Sequence, residues 1–396
     1  MAMTNNNKKG LNVPPLRFPE FKGEWQTIRA SELLETFSTN SLTWDELNYE
    51  GGAIKNVHYG LIHQRFDSAV VDANSDLIPF IKPDQEPKRY TLIEEGDLIL
   101  ADASEDIAEC GEPVEFFGKC SFPVVSGLHT IHCRDKLGMT VPGFKSFLFS
   151  SVPIKRQIAH LCEGTKIYSI SNDTLRELWL HVPERKEQTT ITTLLKKIDE
   201  RIRVQRKTIE DWKVLKKMVE DFFFRNLSPA KIIKFGEAVD YERPEKYIVE
   251  SDEYKSFGTP VLTANKGFIL GYTDETDGIF SKVPAVVFDD FTESSQYAEF
   301  PFKVKSSAIK ILTPKVKQIS SLYIQAYLEY LKLGPSEHKR HYLSDVIKYD
   351  FPIPPLSDLS SFSIALAAMT HRINLLGEEL NALEKLKRAL LSSMFV

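Results

Sequence analysis

The sequence has no apolar run approaching the roughly 20 residues that cross a bilayer. Its first residues, MAMTNNNKKGLNVPP, lack the apolar stretch of a secretory signal. They read as a polar, frayed tail on a cytoplasmic protein that makes no membrane contact. Cysteine is scarce: Cys110, Cys120, Cys133 and Cys162 all fall in the first half, with no CxxC pair. Such usage excludes a disulfide framework and leaves reduced thiols as the expectation. His129, His132 and Cys133 lie close together, but GLHTIHC alternates like a strand, and four structural zinc ligands are not evident. No single sign of charge dominates. With 50 Lys and Arg against 55 Asp and Glu, the net charge is −5, so nothing global announces a nucleic-acid binder. Binding depends instead on where basic groups cluster. Enzyme signatures are missing as well: there is no GxxxxGK(S/T) phosphate loop and no GxGxxG fingerprint.

What is present is a repeat. Set KKIDERIRVQRKTIEDWKVLKKM, beginning at Lys196, against AAMTHRINLLGEELNALEKLKRA, ending at Ala389, so that Arg201 falls on Arg372. Without a gap, Leu195 then meets Leu366, Ile202 meets Ile373, Leu215 meets Leu386, Lys216 meets Lys387 and Pro183 meets Pro354. A long-period duplication of this kind dictates the architecture. In the first copy the apolar seam is Ile191, Leu195, Ile198, Ile202, Ile209, Trp212, Val219 and Phe223, with Gln205 and Lys216 in polar slots. In the second it is Phe362, Leu366, Met369, Ile373, Leu376, Leu380, Leu383, Leu390 and Met394, with Lys387 opposite Lys216. Apolar residues every three to four positions over several heptads specify coiled-coil helices, each roughly 50–60 Å long at 1.5 Å per residue. One such helix alone would expose its seam. Two in one chain can cover each other, and pseudo-twofold symmetry requires them to run antiparallel, with the attached domains at opposite ends.

The segments before the helices also correspond. GDLILADASED parallels VPAVVFDDFTES, FPVVSGLHTIHC parallels FPFKVKSSAIKIL, and TKIYSIS parallels HKRHYLS. The expected fold class is α+β: two mixed α/β domains separated by two long helices in an antiparallel intramolecular coiled coil. The boundaries are 1–182 for the first domain, 183–227 for the central helix, 228–353 for the second domain and 354–396 for the C-terminal helix. Related domains held apart by a symmetric spacer suit the reading of two different half-sites on one duplex.

Basic residues cluster where such reading would need them. The second domain carries Lys303, Lys305, Ser306, Ser307 and Lys310 in one stretch, and His338, Lys339, Arg340, His341 and Tyr342 in another. Matching loops of the first domain offer His129, Lys145 and Lys166. Lysine and arginine neutralise phosphates, and arginine, serine or histidine can reach base edges. The seam residues Leu195, Ile198, Ile202, Ile209, Trp212, Val219, Leu366, Met369, Ile373, Leu380, Leu383 and Leu390 are the candidates for helix pairing and subunit docking. No metal-ligand set and no catalytic constellation accompany them.

Nearly the whole chain resembles the specificity subunits of type I restriction–modification enzymes. The resemblance rests on LRFPEFKGEW, GDLILADAS, VPERKEQTTITTLLKKIDERI, KYIVESDEYKSFGTPVLTANKGFILGYT, VVFDDFTESSQYAEFPFKVKSSAIKIL and EHKRHYLSDVIKYDFPIP. The second helix departs from the pattern, with PPLSDL where the first has PERKEQ. The resemblance implies a non-catalytic chain whose two domains each read half of a bipartite double-stranded DNA target. It also implies helices that set the gap and dock two modification subunits, with restriction subunits completing the complex. S-adenosylmethionine, ATP and Mg would then act on those partners, and this chain would hold no cofactor. Two other classes stay open: a coiled-coil scaffold joining two protein partners without DNA, and a methyltransferase or nuclease with an unconventional site.

Overall fold

A computed structural model describes residues 12–164, 166–264, 267–333, 342 and 345–396. Contacts gather into two compact units. One takes the described residues up to Lys207 together with Glu378–Val396; the other is Thr208–Gly377. Packing therefore divides each long helix between two units, where the sequence reading treated the helices as separate segments.

In the first unit the central strand is Leu98–Ala101, LILA, buried along its entire length. A continuous apolar run of this kind marks a strand covered on both faces. It sits in a five-stranded sheet ordered Leu34–Phe37, Thr130–Asp135, Leu98–Ala101, Pro113–Phe117, Val70–Asp72. Lys55–Val57 and Val124–Ser126 pair in parallel in a second, smaller sheet. Helix Phe144–Ser150 packs on the main sheet through an internal ion pair. Lys145 Nζ lies 3.0 Å from Glu115 Oε1, and the Ser146 N–H donates to Glu115 Oε2 at 2.9 Å. Both charged residues are buried. Burial pushes the Glu115 carboxyl upward, and Lys145 with the backbone N–H groups of Gly143 and Ser146 holds it back.

The second unit repeats the design with other side chains. Its main sheet runs Val239–Glu242, Ile309–Pro314, Ala285–Asp289, Ser295–Ala298, the same order as four strands of the first unit. Val261–Leu262 and Lys303–Val304 again pair in parallel. Helix Ser321–Tyr330 is capped by Ser320, whose hydroxyl accepts from the Tyr323 N–H at 3.1 Å. Its tyrosines anchor the strand leading to the last helix, with Tyr323 Oη donating to Pro352 O at 2.7 Å and Tyr327 Oη to Asp350 O at 2.6 Å.

The long helices span Arg185–Asn226 and Leu356–Ser393. The first starts on a lock. Arg17 forks onto Glu187 with two contacts of 2.7 Å, while the Gln188 amide accepts from Val141 N–H and donates to Met139 O and Pro183 O. At the equivalent of Gln188 the second helix has Leu359, buried in the second core. An apolar side chain there replaces a polar lock, which explains the departure of PPLSDL from PERKEQ.

Helix pairing is antiparallel. In the first unit Asp199 meets Lys387 and Gln205 meets Glu379, so partner numbers fall as the chain advances. In the second, Phe223 stacks on Phe362 with ring centroids 3.7 Å apart. Leu195, Ile198, Ile202, Ile209 and Leu366 are buried; Trp212, Val219, Met369, Ile373, Leu380, Leu383 and Leu390 are half-buried. The polar slot at Lys216 is filled within the second unit: its Nζ is 2.6 Å from Glu220 Oε1 and 3.5 Å from Glu329 Oε2. The Glu220 oxygens lack a well-aligned hydrogen bond, so the contact is an ion pair off the hydrogen-bonding axis. Burial pushes the Glu220 carboxyl up to about 7; Lys216 opposes the shift and Glu329 adds to it.

Two expectations follow. Replacing Lys145 with alanine strands Glu115 in the core and is expected to cost about 3–5 kcal/mol of stability, read as a lowered urea midpoint. Glu220 ionises near 4.5 when unfolded and near 7 when folded, so the fold binds its proton more tightly. Its stabilising contribution is complete below about pH 4.5 and disappears as pH rises through about 7. E220Q removes this loss. Denaturation curves at about pH 5 and pH 8 should show a smaller fall for the variant than for the native chain, and an equal fall would refute the assignment.

Candidate nucleic-acid interface

The candidate surface forms where the central strand of each main sheet ends. In the first unit, Asp102 follows Leu98–Ala101. Its N–H donates to His129 O at 3.1 Å, and its carbonyl accepts from the Ile170 N–H at 2.9 Å. Ala103–Ser104 pairs with Tyr168–Ser169. Three segments distant in sequence thus meet: 102–104, 127–129 and 166–170. Gly127 makes the middle one possible, because a Cβ there would come within 2.4 Å of the Asn56 amide.

His129 sits at φ 54°, a conformation rare for a residue with a side chain. It presents a half-exposed ring with Nδ1 3.2 Å from Asp102 Oδ1. Burial raises the Asp102 carboxyl, and the neighbouring His129 opposes the shift. Tyr59 meets the His129 ring edge-on at 5.3 Å. Tyr59 opens the short helix Tyr59–Gln64, whose cap His58 accepts from the Gly60 N–H and packs 4.5 Å from Trp44. His58 is pulled down to about 4, by burial and then by His129, so it stays neutral at physiological pH. Around this frame lie exposed Lys166, Ile167 and Trp44. A cation, an imidazole and exposed aromatic surface are the groups that hold phosphates and touch bases.

The second unit builds the same frame. Asp290 follows the central strand Ala285–Asp289, and its N–H donates to Ala308 O at 3.1 Å. Its Oδ1 accepts from the Tyr342 N–H at 2.7 Å, and Oδ2 faces Lys310 Nζ at 3.3 Å. Ser307 and Phe291 are exposed beside it. Lys305 is half-buried, ion-paired with Asp252 and placed 5.7 Å over the Tyr254 ring.

The structure brings His129 and Lys166 together in the first unit, and Lys305, Ser306 and Ser307 around one loop in the second. It removes four other expected contacts. Lys145 belongs to the core with Glu115. Lys303 points inward, 2.6 Å from Glu275 Oε2 and 2.8 Å from Asp277 O. Lys310 is held by Asp290, and Tyr342 is 1% exposed, packed 5.2 Å from the Tyr241 ring. These four side chains are committed to internal partners. His338, Lys339, Arg340 and His341 lie outside the described residues. Sequence reasoning passed over Trp44, Tyr59 and Asp102; for Tyr59 the signal was NVHYGLIHQ, which sets three ring side chains at the cap and on the turns of one short helix.

Among the described residues no group of three or more His, Cys, Asp or Glu is placed to hold a metal ion, and no helix is long and apolar enough to cross a membrane. All four cysteines are free thiols.

No family model matches the chain. Over 128 residues it is 41% identical to the type I restriction enzyme EcoR124I/EcoR124II specificity subunit of Escherichia coli. That stretch is 31% of this chain and 32% of the relative, so the match spans about a third of the curated protein's length. The fold extends the likeness. The S subunit of a type I restriction–modification system from M. genitalium superposes with a TM-score of 0.61, covering 97% of this chain and 99% of that one at 15% identity. A second structure, from work on complex assembly and conformational transition of the type I system, gives 0.50 over 96% and 99% at 14% identity. In fold over nearly its whole length, and in sequence over that 128-residue stretch, the chain is similar to specificity subunits of type I restriction–modification systems.

Proposed function

We propose that this chain is the DNA sequence-recognition subunit of a cytoplasmic type I restriction–modification complex. Each globular domain reads one half of a bipartite target through the major groove, and the paired helices set the gap. The observation that carries this reading is the duplicated frame: an aspartate after the central strand, a loop lying against it, and a third segment closing the group, built twice with different exposed side chains. Frame and surface are separable, which is what two readers of dissimilar half-sites require. The chain itself does no catalysis. Methyl transfer with S-adenosylmethionine, and ATP- and Mg-dependent restriction, belong to the partner subunits.

The helices also supply docking surface. Val204, Leu215, Leu375 and Leu386 are exposed, and in the repeat alignment Val204 falls on Leu375 and Leu215 on Leu386. Large apolar side chains kept in solvent at repeat-equivalent positions mark contacts for a partner. Because the positions recur, two copies of the same partner fit, which supports two modification subunits.

Reconstitution with modification subunits should give two partners per chain by native mass spectrometry. L386R and L215R are each expected to reduce the ratio to one without unfolding the protein, since both side chains are exposed; an unchanged ratio would remove these residues from the docking surface. DNA retention by the complex should fall steeply with salt as phosphate contacts are lost. H129A combined with K166A should weaken recognition of one half-site by roughly 10- to 100-fold and leave the other unchanged. Absence of salt-dependent DNA retention, with partners bound, would favour the scaffold reading.

A further inference from the structure

We propose that Asp199 and Lys387 are positioning residues that fix how the first globular domain is mounted on the helix pair, and thereby which gap length between half-sites is accepted. This inference rests on the reading of the chain as a bipartite DNA-recognition subunit. Asp199 lies on the central helix and is 3% exposed. Two separate parts of the first unit converge on it. Lys387 of the C-terminal helix brings its Nζ to 2.5 Å from Oδ1, off the axis of a good hydrogen bond, so the contact is an ion pair. Ser68 of the globular domain donates its hydroxyl to Oδ2 at 3.1 Å. About two helical turns further, Arg206 of the central helix reaches Glu384 of the C-terminal helix at 2.8 Å and Asp67 of the globular domain at 3.7 Å. The Asp67–Ser68 corner is thus tied to the two central-helix residues, Asp199 and Arg206, that themselves reach across to the C-terminal helix.

Apart from the Gln205–Glu379 contact, the seam beside this clamp is built of apolar side chains such as Leu195, Ile198 and Ile202, and apolar contacts tolerate repacking. A buried charged pair does not, because displacement by one residue leaves both ions without partners. A single polar pair in an apolar seam is the device by which helices fix their register. Its counterpart in the other unit sharpens the point. Lys387 is repeat-equivalent to Lys216, which meets its globular domain directly, through Glu329 of helix Ser321–Tyr330, and is joined by Glu220 of its own helix. The lysine recurs in both copies; the acids do not. Thr370 stands where Asp199 would recur, and Leu391 where Glu220 would. In the first unit the domain reaches its lysine through Ser68 and Asp199, and in the second directly through Glu329.

The test uses the reconstituted complex with its modification subunits. Duplexes carry both half-sites at the native gap, or at gaps one base pair shorter and longer, and the initial rate of methylation is measured. D199N and K387M are expected to keep the native-gap rate within about twofold while raising the off-gap rates relative to it by roughly tenfold. A second variant guards against simple misfolding. D199L combined with K387M leaves no unpaired buried charge and should regain stability, yet the relaxed gap preference should persist. Parallel loss at all three gaps would assign the pair a structural role and overturn the proposal, as would unchanged discrimination in every variant. If the native complex itself shows no dependence on the two half-sites, the recognition reading falls, and this inference with it.

Discussion

An amphipathic helix of about ten turns cannot remain alone in water with its seam exposed, and the rest of the architecture is a response to that constraint. Leu195, Ile202 and Leu366 have lost almost all solvent contact, at roughly 1.5–3 kcal/mol for each large side chain removed from water. The cover comes partly from the other helix and partly from the globular domain in the same unit. Because the two helices run in opposite senses, each unit receives the start of one and the end of the other. Neither the central nor the C-terminal helix therefore belongs to one domain, and the order of segments along the chain differs from the order in which they pack.

The globular domains answer a different demand. Their shared strand order keeps an aspartate at the end of the central strand in both, and that residue organises the neighbouring loop through backbone contacts: Asp102 with His129, Asp290 with Ala308. Backbone hydrogen bonds are indifferent to side-chain identity, so the frame persists while its surface diverges. In the first unit the surface carries imidazole and tyrosine; in the second it carries serines and exposed phenylalanine. The two units therefore share what lies beneath the surface and differ in what the surface presents.

The helices were legible in the sequence because their signal is local: steps of three and four, uninterrupted by proline, repeated in a matching register. The central strands were legible for a similar reason, since LILA and AVVFD can only be buried. The charged side chains were not, because their fate depends on partners far away in sequence. Lys145 is claimed by Glu115, Lys303 by Glu275 and Lys310 by Asp290, and a basic stretch reads the same whether its acids lie across a core or in solvent. His129 and Lys166 were singled out through their loops, whereas Trp44 and Tyr59 were passed over because an aromatic in a short apolar segment looks like core. Tyr342 was the converse, an aromatic in a basic cluster that proves to be interior.

The unequal starts of the two helices carry a thermal consequence. The central helix is fastened by the Arg17–Glu187 fork and the Gln188 amide, the C-terminal helix by burial of Leu359. Hydrophobic attachment weakens on cooling, whereas charge-assisted hydrogen bonds in a dry setting change little. Chilling therefore loosens one fastening while leaving the other firm, and the molecule meets cold with one stiff joint and one slack one.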